Sequence, residues 1–393
     1  MSSPNWIDRP EALAAGIARW RAQGVVGIDT EFVFERTFYP RLGLIQLATS
    51  AGRDGNEIAL VDTVRIADLS PLAALLEADD VRKVIHSGSG DIPILRQATG
   101  AAPRPLFDTQ IAAAYCGLGI SISYGALIRE LFGVELPKDE TRTDWMRRPL
   151  SAAQQRYAAE DVAQLLAAAA ELERRLRELG RLAWALEDSA ALIEASREPA
   201  NPQLAWQRVR GLDRLPPGPR AVARALAAWR EGEAERLDLA RSFLLRDETL
   251  LALARRGAAE PQPLAKLPGY DARRHAMHTT RWTEALAQAH RDIEAGAAPP
   301  EPEAQRLTTA ARERRRTLEE AISAFVARRA GELGLPPELL LSRRQRDRVL
   351  SAWNGKGLLS AALDGYRADL LGPDLDRLAA ASTQAPVTTG GRQ

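Results

Sequence analysis

Val25-Val26-Gly27-Ile28-Asp29-Thr30-Glu31-Phe32 is the stretch on which the fold turns. A small apolar run leads straight into two carboxylates set two positions apart. Such a run reads as a buried strand, and on a strand residues i and i+2 point to the same side. Asp29 and Glu31 therefore stand together at a strand end. Neighbouring carboxylates repel and resist desolvation unless a proton or a cation joins them. Alone, the pair reads first as a polar strand end entering a loop, so the functional reading depends on what the rest of the chain brings to it.

Working outward, residues 10–23 carry Leu13, Ile17 and Trp20 at helical spacing and predict a short helix before the strand. Leu42–Ala48 and Glu57–Asp62 read as further strands, with turns around Gly52 and Gly55 that suggest an antiparallel meander. Ser70-Pro71 predicts a helix start, with Ser70 as N-cap and Pro71 in the first turn. Lys83–His86 is a fourth strand, and strands alternate with helices from there, which argues an α/β domain.

Two later stretches add polar groups. His86-Ser87-Gly88-Ser89-Gly90-Asp91 precedes the apolar Ile92-Pro93-Ile94-Leu95, so Asp91 sits at a strand-to-helix turn, where an N-capping role competes with a functional one. Its glycines do not make Gly-x-Gly-x-x-Gly, so no dinucleotide fold is indicated. His86 reads as a packed or turn histidine, and Asp108 as a helix cap. Ser151 and Gln154 form a capping-box pattern. In the helix they open, Tyr157 and Asp161 are four residues apart and share a face. They make either a surface hydrogen bond or a carboxylate–phenol pair able to hold a water.

The composition sets bounds. The chain has 393 residues, 45% of them hydrophobic, which suits two or three domains with real cores. One cysteine, Cys116, excludes an internal disulfide and a cysteine-based zinc site, and reads as a small core residue. No apolar run reaches the roughly 18 residues of a membrane span, and the N-terminus lacks the pattern of a signal peptide. A cytoplasmic protein is expected. The net charge of +1 hides an asymmetry: residues 1–200 carry 22 basic and 28 acidic side chains, the remainder 31 and 24. An acidic half suited to cations is joined to a basic half suited to a polyanion.

Glu198-Pro199-Ala200-Asn201-Pro202 marks a boundary, beyond which the sequence is helical by period. Gly296–Pro302 reads as a linker. After it, the run from Leu333 to Arg344 weakly repeats the run from Leu237 to Arg246. Arginines 312, 314, 315, 316, 343, 344, 346 and 348 cluster in this last part. They are either solvated helix faces or, collectively, a phosphate-binding surface. The tail from Thr383 is expected to be disordered.

Asp29-x-Glu31 after a strand, Asp91 at a turn and Tyr157-x-x-x-Asp161 on a helix, in that order, resemble the three motifs of the DEDD exonuclease superfamily in its tyrosine-bearing branch. The flanking sequence resembles ribonuclease D: Asp29-Thr30-Glu31-Phe32, Tyr39-Pro40-Arg41-Leu42-Gly43-Leu44-Ile45-Gln46-Leu47, Asp108-Thr109-Gln110 and Arg142-Thr143-Asp144-Trp145. Gly90 departs from the family, where an acidic residue often precedes the Asp. The helical half resembles HRDC domains.

The resemblance implies an α/β ribonuclease H-like exonuclease domain, a mixed sheet flanked by helices, over residues 1–198. Two all-α HRDC-like domains follow at 203–292 and 303–380, then a tail at 381–393. It implies a 3′→5′ exoribonuclease that releases 5′-monophosphates, acting on structured RNA such as tRNA precursors. Asp29, Glu31, Asp91 and Asp161 would carry two divalent metal ions, Mg²⁺ or Mn²⁺, since hard cations prefer carboxylate oxygen. Tyr157 would orient the attacking water, and Glu31 would touch the terminal 3′-hydroxyl. A monomer acting on RNA away from membranes is expected. The alternatives are a DNA exonuclease of the same superfamily and a non-catalytic RNA-binding protein on the same scaffold.

Overall fold

The computed structural model describes residues 4–50, 56–137, 143–197, 201–256, 264–296, 308–353 and 358–384. The turns expected at Gly52 and Gly55, Arg142 of the flanking motif, Glu198–Ala200 at the expected boundary and most of the 296–302 linker lie outside these. The chain divides into two compact units: residues 1–31, 42–196 and 302–393 form the first, and 32–41 with 197–301 the second.

Unit 1 is built on a six-stranded mixed sheet of order β1-β4-β3-β2-β5-β6. The strands are β1 (Asn5–Ile7), β2 (Val25–Val33), β3 (Arg41–Ser50), β4 (Asn56–Asp62), β5 (Arg82–Ile85) and β6 (Leu106–Asp108). The β3–β4 pair is antiparallel, with Ile45 opposite Val61. β1 runs parallel to β4, β2 to β5 and β5 to β6. β1 and β6 were not expected from the sequence. Each has three residues, too few for a periodic signal, and each exists by pairing with a longer neighbour.

Helices α1 (Pro10–Arg21), α2 (Ala73–Leu76), α3 (Asp91–Thr99), α4 (Thr109–Tyr115), α5 (Tyr124–Phe132), α6 (Ala152–Ala163), α7 (Leu165–Glu178) and α8 (Leu182–Ala195) belong with the sheet. Leu13, Ile17 and Trp20 of α1 are buried as their spacing predicts, in one core with Val26, Ile28, Ile45, Val61, Leu75, Ile85 and Ile92. The expected Ser70 cap is absent. Ser70 opens a 3₁₀ turn without a side-chain cap, and its N–H instead donates to Asp68 at 2.9 Å. Asp108 does cap α4, accepting from the N–H groups of Gln110 and Ile111, and Ser151–Gln154 forms a complete capping box on α6. The helix it opens stops at Gln164, and two more follow, separated around Gly180.

Gly43 shows why one position of the flanking motif needs glycine. A Cβ there would lie 2.6 Å from the carbonyl oxygen of Trp145. The close approach is held by Arg148, which donates to the Gly43 carbonyl at 2.5 Å and to the fully buried Asp62 at 2.8 Å.

Unit 2 holds α9 (Pro217–Arg236), α10 (Arg241–Leu244), α11 (Asp247–Ala254), α12 (Ala272–His275) and α13 (Thr279–Glu294). Val222, Leu226, Leu250, Leu253, Trp282 and Leu286 form its core. Residues 36–41 pack within this unit. Asp238 accepts from the N–H groups of Phe38 and Tyr39, both at 3.1 Å, and the Tyr39 hydroxyl donates to Glu235.

The C-terminal part of unit 1 contains α14 (Thr309–Leu333), α15 (Pro337–Leu340), α16 (Arg343–Ala352) and α17 (Gly365–Gln384). α17 runs past residue 381, where a tail was expected to begin. This part joins α8 through a buried polar cluster. Arg367 donates to Asp188 at 2.6 and 2.8 Å and to the carbonyls of Leu339 and Leu340 at 2.9 Å. The Tyr115 hydroxyl donates to Asp188 at 2.5 Å and meets that of Tyr366. The Tyr366 ring stacks on Trp184 at 4.8 Å. No helix among the described residues is long and apolar enough to cross a membrane.

Candidate active site

Asp29 and Glu31 lie on β2, Asp91 is the first residue of α3, and Tyr157 and Asp161 are one turn apart on α6. The fold brings all five into one neighbourhood. Asp29 feels the charges of Asp91, Asp161 and Glu31, and Glu31 those of Asp161 and Asp91. Tyr157 hydrogen-bonds Asp161. The capping role open to Asp91 is not taken up: Gly90 is the N-cap of α3, without a side-chain cap bond. The Asp91 carboxylate, only 7% exposed, instead accepts the Thr30 hydroxyl.

The electrostatics are those of like charges held out of water. Burial, then the neighbouring carboxylates, raises Asp29 well above the usual carboxylate range. The same causes push Glu31 up to about 8. Burial pushes Asp91 up to about 6 against the lowering bond from Thr30. Burial likewise pushes Asp161 up to about 7, with the Tyr157 bond pulling down and Glu160 pushing up. Such groups take up a proton or a cation.

Four oxygen donors without His or Cys suit a hard divalent cation. Among the described residues, no group of three or more His, Cys, Asp or Glu stands close enough to hold a metal ion as placed. The donor chemistry and the unbalanced negative charge both fit such an ion.

Two further residues belong to this neighbourhood and were not picked out from the sequence. Thr30 lies between the two β2 carboxylates, where alternation points it away from them, so the strand period gives no reason to select it. Tyr124 feels Asp161 and Asp29 and accepts the N–H of Gln164 at 3.2 Å. No short motif flags it. His86 is packed as expected, its ring nitrogens on Thr109 Oγ1 at 2.9 Å and the Ile122 carbonyl at 3.0 Å. Asp108 steadies the approach to α3 by accepting the N–H groups of Ser87 and Gly88 at 3.2 and 2.8 Å.

The profile of the 3′-5′ exonuclease family matches residues 4–177, and that of the HRDC domain residues 220–286. Ribonuclease D of Pseudomonas paraeruginosa is 37% identical over 374 residues, covering 94% of this chain and 96% of its own. The chain belongs to the ribonuclease D family. Ribonuclease D of Escherichia coli is 34% identical, covering 95% of this chain and 97% of its own. The crystal structure of Escherichia coli RNase D, described as an exoribonuclease involved in structured RNA processing, superposes with a TM-score of 0.81 at 32% identity. It covers 96% of this chain and 99% of that one. Membership makes the protein a 3′–5′ exoribonuclease, with an exonuclease domain, then an HRDC domain, then a helical C-terminus. Exonucleases of this kind depend on divalent metal.

Proposed function

We propose that this ribonuclease D relative removes nucleotides one at a time from RNA 3′ ends, using Asp29, Glu31, Asp91 and Asp161 to hold two divalent ions, Mg²⁺ or Mn²⁺. The observation that carries the reading is the convergence of these carboxylates, from three separate stretches of sequence, into one mutually repelling group. Bound there, divalent ions supply an activated water and offset charge on the departing oxygen. The chain's own groups do the rest. The Asp91 carboxylate is oriented by Thr30 and that of Asp161 by Tyr157. Tyr157, hydrogen-bonded to Asp161, positions that carboxylate and a water. In this reading Glu31, near the end of β2, receives the terminal 3′-hydroxyl.

The substrate class in this reading is structured RNA with 3′ extensions, tRNA precursors among them, cut to 5′-monophosphates by a cytoplasmic monomer. The domains are 1–198, 203–292 and 303–380. The last as a second HRDC-like unit is supported by element order. α9, a left-handed residue at Asp238, short α10 and then α11 are matched by α14, a left-handed Gly334, short α15 and then α16.

The test is a time course on 5′-labelled tRNA carrying a short 3′ extension, with and without Mg²⁺. A ladder shrinking by single nucleotides only with metal is expected. Internal cuts, chelator-insensitive cleavage, or faster trimming of matched DNA would overturn the reading.

A further inference from the structure

Gln46, on β3, is fully buried, and neither its side-chain nitrogen nor its side-chain oxygen has a hydrogen-bond partner among the described residues. A buried amide left without partners is destabilising, and such a group in a folded protein calls for a reason. Other polar side chains buried on the same sheet are answered. Asp62 accepts from Arg148 at 2.8 Å, and Lys83 donates to the carbonyls of Ala78 and Val81 at 2.7 and 2.6 Å. Asp108 accepts the N–H groups of Gly88 and Gln110, each at 2.8 Å. Gln46 departs from this pattern.

The sheet shows what stands beside it. β2 and β3 are neighbours, joined by residues 34–40. That is too short for the crossover a parallel pair needs, so the two strands run antiparallel. A Cβ on Gly27 would lie 3.5 Å from that of Ala48, which sets these two residues opposite each other on one face. Two residues onward along β2 and two back along β3, Asp29 stands opposite Gln46 on that same face. On its other side Gln46 faces Leu60 of β4, which has no polar group to offer. The Gly27 face is covered by Leu165 and Leu166 of α7, which follows directly on α6 with its Tyr157 and Asp161. Ile28, Ile45 and Val61 belong to the apolar core on the opposite face. The unpartnered amide and the carboxylates therefore share one side of the sheet, on adjacent strands.

We propose that Gln46 is a positioning residue of the carboxylate site, whose side-chain N–H groups donate to Asp29 when that carboxylate holds a divalent ion. The proposal rests on the reading of Asp29 as a metal ligand. Directly opposite residues of an antiparallel pair have their Cβ atoms about 4.5–5.5 Å apart, within reach of a long side chain. A carboxylate bound to a metal keeps lone pairs that the metal does not use, and a donor on them fixes its orientation. An amide does this without adding a positive charge that would compete with the ion, as Lys or Arg would. Gln46 would then keep an unmade bond in the metal-free protein and make it on loading.

The experiment measures Mn²⁺ binding to the full chain from the EPR signal of the free ion, with no RNA present. Wild type is compared with Gln46→Met, which keeps the length and loses the amide, with Leu60→Met, which repacks the apolar neighbour, and with Asp29→Asn. Gln46→Met should bind Mn²⁺ roughly 10- to 100-fold more weakly, while its melting temperature in EDTA equals or exceeds that of wild type, because the unpartnered amide is gone. Leu60→Met should bind Mn²⁺ as wild type does. Unchanged affinity in Gln46→Met beside a weakened Asp29→Asn would overturn this proposal alone. Equal weakening by Leu60→Met would make the effect one of packing and overturn it too. Unchanged affinity in Asp29→Asn would overturn the metal-ligand reading, and this proposal with it. Should Gln46→Met fail to fold or melt lower, Gln46→Asn decides, since it keeps the amide but withdraws it by one methylene: weakened Mn²⁺ binding supports the proposal and unchanged binding overturns it.

Discussion

Unit 1 buries charge in several places, and two of them are built on opposite plans. Where β2, α3 and α6 meet, the nearest charges to each carboxylate are other carboxylates. Between α8 and α17, Asp188 meets Arg367 through two short bonds, and the guanidinium's remaining donors are taken by two carbonyls. The second plan closes its own account and is structural. The first leaves negative charge to be balanced from outside the protein, which is the signature of a functional site. Burial alone does not distinguish them, because Arg367 and Asp91 are buried to nearly the same extent. The sign of the neighbours does.

The contrast yields predictions that can break it. Asp29→Asn should lower single-turnover RNA hydrolysis by about 10⁴-fold or more, since it removes a proposed metal ligand. The same variant, melted in EDTA, should be as stable as wild type or more so, because it removes a repelled charge. A marked fall in its melting temperature would place Asp29 in the structural class. Arg367→Met should do the reverse at the other site, costing about 3–5 kcal/mol in urea unfolding by stranding Asp188. Combining it with Asp188→Leu should restore much of the loss, and no recovery would show that the pair is not the unit that matters. Tyr157→Phe should cost about tenfold in rate with little change in RNA affinity. A loss confined to affinity would move Tyr157 from positioning to binding.

The smallest effect is in pH. All four carboxylates have folded pKa values raised above their unfolded ones, so the stability they contribute is full below about pH 4. It is lost as pH rises through the folded values, about 8 for Glu31. In EDTA the melting temperature should therefore drift down from pH 5 to pH 8, and Asp29→Asn should flatten that drift. Divalent metal should raise the melting temperature more at pH 8 than at pH 5. An upward drift in EDTA would contradict the assigned repulsion.

What the sequence made legible was whatever is encoded locally. The apolar run before Asp29, the capping box at Ser151 and the Tyr157–Asp161 spacing each lie within one element, and each appears where it was expected. What stayed hidden depends on partners distant in the chain. β1 takes its existence from β4, and Thr30 shows its part only once Asp91 arrives from 61 residues away. Ser70 misleads because its side chain and its N–H both bond to Asp68, a choice that residue preference does not record. The Arg367–Asp188 junction spans 179 residues and leaves no motif at either end.

That junction also bears on how the molecule is made. Asp188 sits beside Ser189, whose hydroxyl accepts the N–H of Asp108, and Asp108 in turn holds the backbone of Ser87 and Gly88 just ahead of Asp91. Its partner Arg367 emerges from the ribosome 179 residues later, a delay of roughly 10–35 s at about 5–20 residues per second. For that interval Asp188 has the Tyr115 hydroxyl but no guanidinium, and the Trp184 ring lacks its Tyr366 partner. The unit begun first is finished last, and a chain released before residue 367 would leave the ribosome with its sheet complete and its α8 face open.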